Sequence, residues 1–371
     1  MDDLRYKIAL LMIKGMNSAK ARHIIETFGS ARAVFEADKA TLLTLPRIGE
    51  AIIAASHDQQ LFDRAGQEMQ FMADHHIKAL CYGEEDYPHR LLECPDAPAI
   101  LFELGQPVTE ARHVVGIVGT RECTQYGRDI TTRFVQELHD LVPDLLVVSG
   151  LALGIDVTAH RAALQYNVPT TAVVAHGLNQ IYPSQHRNEA RQIIAQGGSI
   201  VCDYLSSQSI ERQNFLERNR LIAGLSDAVL VAESKDKGGS LVTASIALDY
   251  GRDVFAFPGR VGDSRSNGCN RLIRLNRAGL ITSAQDFVEA MNWGTATAQP
   301  KSIQHSIPFE EEKLTRNARL ILDALRDRGD LLLPQLSDVT GLDHSTLYEE
   351  LLDLEMDGKL RSTPGGLYQL R

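Results

Sequence analysis

Ser149-Gly150-Leu151-Ala152-Leu153-Gly154-Ile155-Asp156 directly follows the apolar run 145–148. This is the order of a phosphate-binding strand–loop–helix unit: an apolar run, then a turn of Ser and Gly, then a helix that begins at Asp156. Gly150 and Gly154 lack a Cβ atom, so the backbone can adopt positive φ and approach a ligand closely. The first N–H groups of a helix have no intrahelical partner and carry partial positive charge. The stretch therefore predicts an anion site.

The spacing of this turn does not name the anion. It matches neither G-x-G-x-x-G, the dinucleotide fingerprint, nor G-x-x-x-x-G-K-[ST], the P-loop. The formal net charge of the 371 residues is −10, so overall charge predicts no affinity for nucleic acid or membrane. An anion site must therefore be a local feature of the surface.

Composition predicts an ordinary globular protein of two or three domains, with 44% apolar and 23% charged residues. The five cysteines are scattered without a C-x-x-C pair, which argues against a zinc site or a disulfide framework and favours reduced thiols. The apolar run Ile8–Ile13 is too short for a signal peptide, and no apolar stretch reaches the roughly 20 residues of a membrane span. We expect a cytoplasmic protein that is not inserted in a membrane.

The N-terminal region, residues 1–72, has all-helical patterns. Leu45-Pro46-Arg47-Ile48-Gly49 before a helical run at 50–56 is typical of a helix-hairpin-helix turn, and 14–20 is a looser copy. Such turns can direct backbone N–H groups at a DNA phosphate. A plain helical bundle whose turns need Gly and Pro explains the same pattern equally well.

Residues 73–294 alternate between strand and helix patterns. The predicted strands are His113–Val118, Leu145–Val148, Thr170–Ala175, Ser199–Cys202, Ala228–Ala232 and Asp253–Phe257. The predicted helices are Asp129–Leu141, Asp156–Tyr166, Gln185–Gln196, Arg212–Leu225 and Leu241–Tyr250. Continuous apolar strands with intervening helices predict an α/β fold with a doubly wound parallel sheet. Ligands of such sheets bind at the carboxyl ends of the strands.

Residues 295–313 are polar, contain two prolines and end in acidic residues, which predicts a linker. Residues 314–371 then predict three helices, Thr315–Arg328, Leu333–Thr340 and His344–Asp357. Pro364-Gly365-Gly366 lies at the centre of 359–370, a pattern that favours a hairpin. Three helices and a hairpin predict a winged helix.

Four segments near the strand ends carry candidate ligand groups: 118–121, the opening stretch, 215–222 and 237–240. Each combines Gly with a hydroxyl, or supplies Arg, whose forked guanidinium suits phosphate. Any one Gly turn is more often a packing device, and Arg218 and Arg220 could instead pair with Glu217 and Asp227. The sheet would, however, bring the strand-end turns to one edge.

The segment 252–277 contains six arginines and two aspartates, a local charge of +4. Beside phosphate-binding loops, such a patch favours a polyanion over a mononucleotide. Pairing of these arginines with the acidic excess elsewhere is the alternative.

No catalytic set, metal site or cofactor is predicted. His160, His176 and His186 show no Ser/His/Asp or metal-ligand spacing. His160 follows Asp156 by four residues, which we interpret as a local hydrogen bond or cap rather than a catalytic dyad.

The loops resemble those of the DNA-processing protein A family (DprA, also called Smf), over nearly the whole chain. The residues that carry the resemblance are Ile117–Arg121 with Tyr126-Gly127, Ser149–Asp156 with Ala159-His160, Gly177-Leu178 with Ile181–Pro183, Arg218–Ser226, Gly239-Ser240, Gly251-Arg252 with Pro258-Gly259, and Asp86–Pro88 with Leu91-Leu92. Together these ordered blocks are far more specific than any single glycine motif.

The resemblance implies an extended Rossmann domain that binds single-stranded DNA without sequence preference, flanked by a helical domain like a sterile alpha motif (SAM) and by a winged helix. It also implies a homodimer that loads the RecA recombinase onto DNA in natural transformation and recombination. Single-strand-binding protein is a further implied partner, and no catalysis is implied. The residues implied to bind DNA are Gly119, Thr120, Arg121, Ser149, Gly150, Arg218, Arg220, Gly239 and Ser240, with Asn219 holding its loop.

The chain departs from the family pattern at three places. Ser184 stands where members often have Lys after Ile-Tyr-Pro, and Arg187 is the candidate substitute. Leu216 replaces the Pro of Phe-Pro-x-Arg-Asn-Arg, and Cys202-Asp203 replaces Ser-Glu. Members with the usual pattern would have a stiffer turn before the arginines.

The third helix of the predicted winged helix would be its recognition helix. It carries five carboxylates and no Lys or Arg, so it would repel phosphate. We therefore predict that this helix contacts protein rather than DNA.

Two other functions remain open from the sequence. The turn 238–243 resembles the Pro-Gly-Gly-x-Gly-Thr turn of nucleotide phosphoribohydrolases, but Ala244 and Ser245 follow where those enzymes carry a Glu. A protein-interaction scaffold is the third possibility, and the arginine patch argues against it.

Overall fold

The computed structural model describes residues 2–45, 48–107, 111–293, 315–363 and 366–370. Their contacts divide the chain into two compact units, Met1–Thr295 and Ala296–Arg371. The N-terminal helices and the sheet share the first unit, and a separate boundary at residue 72 stays a prediction. The predicted linker, 295–313, lies outside the described residues. None of the helices among the described residues is long and apolar enough to cross a membrane.

The first unit begins with helices, as predicted. They are α1 (Asp2–Leu11), α2 (Ser18–Phe28), α3 (Ala31–Glu36), α4 (Lys39–Leu42), α5 (Gly49–Ser56) and α6 (Gln59–Asp74). Asn17, Ser30, Asp38 and Asp58 cap four of them by accepting from backbone N–H groups of the first turn.

The structure describes only one of the two predicted hairpin turns of this region in full. Residues 46 and 47, within the predicted turn 45–49, lie outside the described residues. The earlier turn, 14–20, contacts the sheet region, because the Ser18 carbonyl accepts from Ala99 N at 3.1 Å and Ser18 itself is buried. That contact gives the turn a packing role.

Nine strands of the described residues form one sheet in the order β1-β2-β6-β5-β4-β3-β7-β8-β9. They are β1 (Lys78–Cys81), β2 (Ile100–Gly105), β3 (His113–Val118), β4 (Leu145–Ser149), β5 (Thr170–Val173), β6 (Ser199–Cys202), β7 (Ala228–Val231), β8 (Asp253–Ala256) and β9 (Gly279–Leu280). The strands from β6 to β9 are parallel, and this confirms the predicted doubly wound sheet. The pairs β1–β2 and β2–β6 are antiparallel, which the sequence did not predict.

Helices cover both faces of the sheet. They are α7 (His89–Leu92), α8 (Gln125–Leu141), α9 (Ile155–Gln165), α10 (Arg187–Ala195), α11 (Arg212–Leu225), α12 (Gly239–Asp249), α13 (Asn267–Arg274) and α14 (Ala284–Met291), with a 3-10 turn at Ser184–His186. Separate apolar clusters form on the two faces, one with Leu221 and Ala244 from α11 and α12, the other with Phe134 and Ala159 from α8 and α9. The strand order reverses between β3 and β7, which is where doubly wound sheets bind ligands.

The second unit contains α15 (Arg316–Arg328), β10 (Leu331–Leu332), α16 (Leu333–Thr340), α17 (His344–Met356), β11 (Leu360–Thr363) and β12 (Leu367–Leu370). Its strands pair in the order β10-β12-β11 around a core that includes Ile321, Leu336 and Leu347. The three predicted helices are present. Pro364 and Gly365 of the predicted hairpin lie outside the described residues, and assignment as a winged helix stays a prediction.

Candidate functional site

A cleft of about 1010 Å³ opens at the carboxyl edge of the sheet beside the point where the strand order reverses. One wall is polar and consists of the segments 119–122 and 235–240. An adjoining part of the lining is largely apolar and includes Tyr182, Phe215 and Leu216. Of the predicted site residues, those that line the cleft are Gly119, Thr120, Arg121, Arg218, Asn219, Gly239 and Ser240.

The loop after β3 is held by main-chain hydrogen bonds at Thr120. Its N–H donates to the carbonyl of Glu233 at 2.7 Å, and its carbonyl accepts from Ile155 N at 3.2 Å. Gly119 is required here, because a Cβ atom would lie 2.4 Å from Cγ1 of Ile155. The loop is therefore fixed at its base while Arg121 remains exposed.

Glu233 fixes the other end of the same loop. Its carboxylate is fully buried and accepts from Thr124 N and Thr124 Oγ1, each at 2.8 Å. A Cβ atom on Gly127 would lie 2.4 Å from Oε2 of Glu233, so the glycine makes room for the carboxylate. Glu233 is not among the site residues predicted from the sequence, although a carboxylate directly follows the apolar run 228–232.

Three side chains form a row along one side of the cleft. The Arg121 guanidinium lies over the Phe215 ring, 5.4 Å from its centroid, and the Phe215 and Tyr182 centroids are 5.5 Å apart. Tyr182 is 50% exposed. Its backbone N–H donates to Nε2 of the buried His176 at 3.1 Å, and burial lowers the pKa of that imidazole, which keeps the acceptor nitrogen unprotonated. A cation and two aromatic rings are thus held at one surface.

The N-terminus of α12 also lies at the cleft. Its N-cap, Gly238, supplies no side-chain cap, and Gly239 is exposed. Ser240 Oγ donates to Ser234 Oγ at 2.9 Å, so this hydroxyl fixes the turn. An anion at this helix end would meet main-chain N–H groups and the positive end of the helix dipole.

Lysine side chains add to the positive potential of the polar wall. Lys237 is exposed, and Lys235 Nζ lies 2.7 Å from Glu122 Oε2. The hydrogen bond from Lys235 and its charge lower the pKa of Glu122. An anion that enters the cleft would compete with Glu122 for this lysine.

Arg218 lines the cleft but is buried beneath it, at 3% exposure. Nη1 donates to the carbonyl of Gly150 at 2.7 Å and to the carbonyl of Val173. Burial lowers the pKa of its guanidinium and raises that of the nearby Asp156 carboxyl. The side chain therefore ties α11 to the ends of β4 and β5.

The stretch 149–156 is a support for the cleft and not its surface. Ser149 is fully buried, and its Oγ donates to the carbonyl of Ile117 at 2.6 Å. Gly150 is buried as well, and the first amide of α9, at Ile155, is bonded to Thr120. Neither Ser149 nor Gly150 lines the cleft.

Two predicted arginines also lie outside the cleft. Arg220 forms an ion pair with Asp203 and donates to the carbonyl of Asp96 at 2.6 Å. It borders a second, more acidic depression beside the turn 14–20. Arg187 is exposed as the first residue of α10.

The arginine patch 252–277 is partly neutralised. Arg252 pairs with Glu93 at 2.9 Å, and Arg265 lies 3.5 Å from Glu122. Arg260, Arg271 and Arg274 are exposed. The alternative interpretation, pairing with the acidic excess, therefore applies to part of the patch.

The expected hydrogen bond between His160 and Asp156 is wrong. Nδ1 of the buried His160 lies 2.8 Å from Thr170 Oγ1, and its Nε2 has no hydrogen-bond partner. Burial lowers the pKa of His160 to about 3. Within the described ranges, no three His, Cys, Asp or Glu side chains converge as they would around a metal ion.

Comparison with known proteins identifies the family of the chain. Residues 78–292 match the family described as DNA recombination-mediator protein A, and residues 7–55 match a SAM-like helix-hairpin-helix tandem. The second match confirms the predicted type of the N-terminal region.

The curated protein Smf of Escherichia coli K12 is 33% identical over 309 residues, which span 80% of this chain and 78% of that protein. The crystal structure of DNA processing protein A (DprA) from Streptococcus pneumoniae has a TM-score of 0.60 at 32% identity, covering 77% of this chain and 97% of that one. DNA processing protein A from Helicobacter pylori, described for its single-stranded DNA binding mode, has a TM-score of 0.52 at 30% identity, covering 58% and 95%. The chain therefore belongs to the DNA recombination-mediator protein A family, the DprA/Smf family of DNA-processing proteins.

Proposed function

We propose that this chain binds single-stranded DNA without sequence preference in the cleft and loads the RecA recombinase onto that strand, in DNA uptake and recombination. The observation that carries the proposal is the pairing, in one open cleft, of a polar cationic wall with the exposed Tyr182 and the half-buried Phe215. Backbone and bases of a single strand need these two surfaces side by side.

The polar wall suits the phosphates. Arg121 supplies a guanidinium, α12 an uncapped N-terminus, and Lys237 a mobile cation. We assign direct contacts to Gly119, Thr120, Arg121, Asn219, Gly239 and Ser240. These groups meet phosphate and sugar rather than base edges, so they carry no sequence information.

The aromatic row suits the bases. Tyr182 and Phe215 offer ring faces at the same side of the cleft as the Arg121 guanidinium. Stacking of one base on an aromatic ring contributes about 1–3 kcal/mol and tolerates any base. A duplex hides its base faces, so the row favours single strands.

The remaining predicted residues have other proposed roles. Ser149, Gly150 and Arg218 support the loops from below, through the contacts with Ile117 and Val173. Arg187 and Arg220 lie outside the cleft, and we propose that DNA reaches them only where the strand leaves it.

We propose no catalysis. Of the carboxylates that line the cleft, Glu122 is paired with Lys235, Asp156 is buried against the positive Arg218, and Glu211 accepts from Ser209 Oγ at 3.2 Å. Glycosidic chemistry of the phosphoribohydrolase type needs a carboxylate after Thr243, where the chain has Ala244. Incubation with nucleoside monophosphates should release no base.

We propose a homodimer that uses the β9 edge of the sheet. This edge strand has two residues, and Leu280 and the nearby Leu275 are 52% and 51% exposed. Exposed apolar side chains beside open strand hydrogen-bonding groups are typical of an interface. In sedimentation velocity, Leu280→Arg should convert the dimer to a monomer, and an unchanged sedimentation coefficient would contradict this edge.

The central experiment is fluorescence anisotropy with a labelled 30-nucleotide single strand, with unlabelled single strand or duplex as competitor. Arg121→Ala with Phe215→Leu should weaken single-strand binding by at least tenfold, whereas Arg133→Ala, at an exposed arginine of α8 outside both the cleft and the patch 252–277, serves as the control. Equal loss in the control, or unchanged affinity in the double variant, would refute the cleft as the DNA site.

RecA loading is tested separately. The chain should shorten the lag before RecA hydrolyses ATP on a single strand covered with single-strand-binding protein, and the Arg121→Ala, Phe215→Leu variant should not. An unchanged lag with normal DNA binding would reject the loading role alone.

A further inference from the structure

Helix α17 is apolar on two faces. Leu347, Leu351 and Leu354 face the core of the second unit and are buried. On the other side, Tyr348, Leu352 and Met356 are 60%, 59% and 79% exposed. A surface helix of a compact unit normally has polar side chains on its outer face. Large apolar side chains on the outer face of α17 are therefore unusual.

The three exposed side chains form a continuous line. Tyr348, Leu352 and Met356 follow one another at intervals of four residues, so they lie one above the other along the helix. Eight residues at 1.5 Å per residue make this line about 12 Å long. That length and residue choice fit the i, i+4, i+8 anchors by which a helix binds in an apolar groove.

Carboxylates run alongside the apolar line. Glu349 and Asp353 are exposed and follow Tyr348 and Leu352 directly in sequence. Two further acids are engaged within the unit: Glu350 accepts from Thr315 Oγ1, and Glu355 accepts from the N–H and hydroxyl of Ser362. Hydrogen bonds from Ser362 lower the pKa of Glu355, so it stays ionised. The helix carries no Lys or Arg.

This charge selects among occupants. DNA would bring its phosphates close to Glu349 and Asp353, which places like charges together. A second copy of this chain that packed through the same helix would bring its own carboxylates close to them, with the same result. A helix of another protein with an apolar stripe and Lys or Arg beside it satisfies both rows at once.

We propose that the outer face of α17, defined by Tyr348, Glu349, Leu352, Asp353 and Met356, is a docking site for an amphipathic helix of another protein that carries Lys or Arg beside its apolar stripe. Leu352 and Met356 supply the buried centre of the interface, where apolar anchors contribute most of the binding energy. Glu349 and Asp353 supply the specificity for a cationic partner, because charge complementarity mainly excludes wrong partners.

The test uses the full-length protein and two synthetic 18-residue helical peptides, each with a leucine stripe, flanked by lysines in one and by glutamates in the other. Anisotropy of the labelled peptides should give micromolar binding for the lysine peptide and at least tenfold weaker binding for the glutamate peptide. Leu352→Ser with Met356→Ser should weaken the lysine peptide at least tenfold. All substituted residues are exposed, and circular dichroism melting checks the fold.

A charge reversal provides a gain of function. Glu349→Lys with Asp353→Lys should invert the preference, so that the glutamate peptide binds more tightly than the lysine peptide. Glu50→Lys with Asp74→Lys, exposed acids of the first unit, makes the same change in net charge and should leave the preference unchanged.

Three results would overturn the proposal. The first is equal lysine-peptide binding in the parent and in the Leu352→Ser, Met356→Ser variant. The second is inversion of the preference by the Glu50 and Asp74 control. The third is concentration-dependent self-association of the parent that the serine variant abolishes, which would assign the face to a second copy of this chain.

Discussion

Arg218 donates from Nη1 to the carbonyl of Gly150 at 2.7 Å and so joins α11 to the end of β4. The same nitrogen donates to the carbonyl of Val173 at the end of β5. Both hydrogen bonds go to main-chain carbonyls at strand ends, so this buried guanidinium supports the scaffold. The cleft therefore contains two kinds of arginine, the buried Arg218 and the exposed Arg121, and their substitution should have different consequences.

Arg218→Ala should lower the melting temperature by roughly 5 °C, because two buried carbonyls lose a donor and the loss of about 3 kcal/mol acts on the whole unit Met1–Thr295. Arg121→Ala should leave the melting temperature within about 2 °C, since exposed substitutions have small effects. Its single-strand affinity should fall, with the salt slope reduced by about 0.7 for one lost phosphate contact. Differential scanning calorimetry and anisotropy titrations at several salt concentrations measure the two effects, and equal destabilisation by both variants would contradict this division.

Gly150→Ala should destabilise the first unit by about 1–3 kcal/mol, the usual cost of overpacking a buried site. The added Cβ would lie 2.5 Å from Asp156 Oδ2 and 2.6 Å from both terminal nitrogens of Arg218. Gly239→Ala is the matched control, because no atom lies within 4 Å of its added Cβ. Urea denaturation of the three proteins decides the matter, and an equally stable Gly150→Ala protein would show that Arg218 moves freely.

Glu233 is not among the residues to which we assign DNA contacts. Glu233→Ala should nevertheless weaken single-strand binding, because it frees the loop that carries Arg121. The substitution removes the acceptor for Thr124 N and Thr124 Oγ1. In a double-mutant cycle with Arg121→Ala, the two losses should be non-additive by at least 0.5 kcal/mol, as for coupled residues. Additive losses would mean that Glu233 acts elsewhere, and Glu289→Ala, an exposed acid of α14, provides the control.

Acid should destabilise the protein partly through His160. Its pKa is about 3 in the folded protein against an ordinary 6.5, so below pH 6.5 the unfolded chain binds a proton that the folded one does not. Unfolding free energy therefore falls as pH drops from 6.5 towards 3, at up to about 1.4 kcal/mol per pH unit for one proton.

His160→Gln should remove this part of the acid sensitivity. Asp156 and Asp203, whose carboxyl pKa values are raised by burial, act in the opposite direction but are present in both proteins. Their contribution cancels in the difference between the two stability curves, measured by urea denaturation from pH 7 to pH 4. Parallel curves would contradict the proton balance at His160.

The parallel part of the sheet was predictable because apolar runs such as 228–232 keep their character from end to end. The antiparallel strands β1 and β2 were missed, because β2 pairs with β6, which lies far along the chain, and local sequence does not show such a pairing. The Thr120 loop and the strand-end location of the cleft followed from the rule for doubly wound sheets.

The individual roles of polar residues were less predictable. Ser149 looked like a ligand group, but its hydroxyl reaches the carbonyl of Ile117, 32 residues away. Arg220 stands two residues from Arg218 and pairs with Asp203 on another side of α11. The hydrogen-bond partner of each side chain depends on which backbone carbonyl or carboxylate the fold brings near. That partner cannot be predicted from the local sequence.

Thr120 is held through its own N–H and C=O, bonded to Glu233 and Ile155, and its Oγ1 also accepts from the N–H of Glu122 at 3.2 Å. The base of the loop thus depends on main-chain groups that every residue except proline carries, and the hydroxyl fixes only the next turn, at Glu122. Substitutions at position 120 are therefore free to change how the loop meets its ligand while the base of the loop stays as it is. Evolution can retune the affinity of such a loop by single substitutions, without first finding compensating changes elsewhere in the sheet.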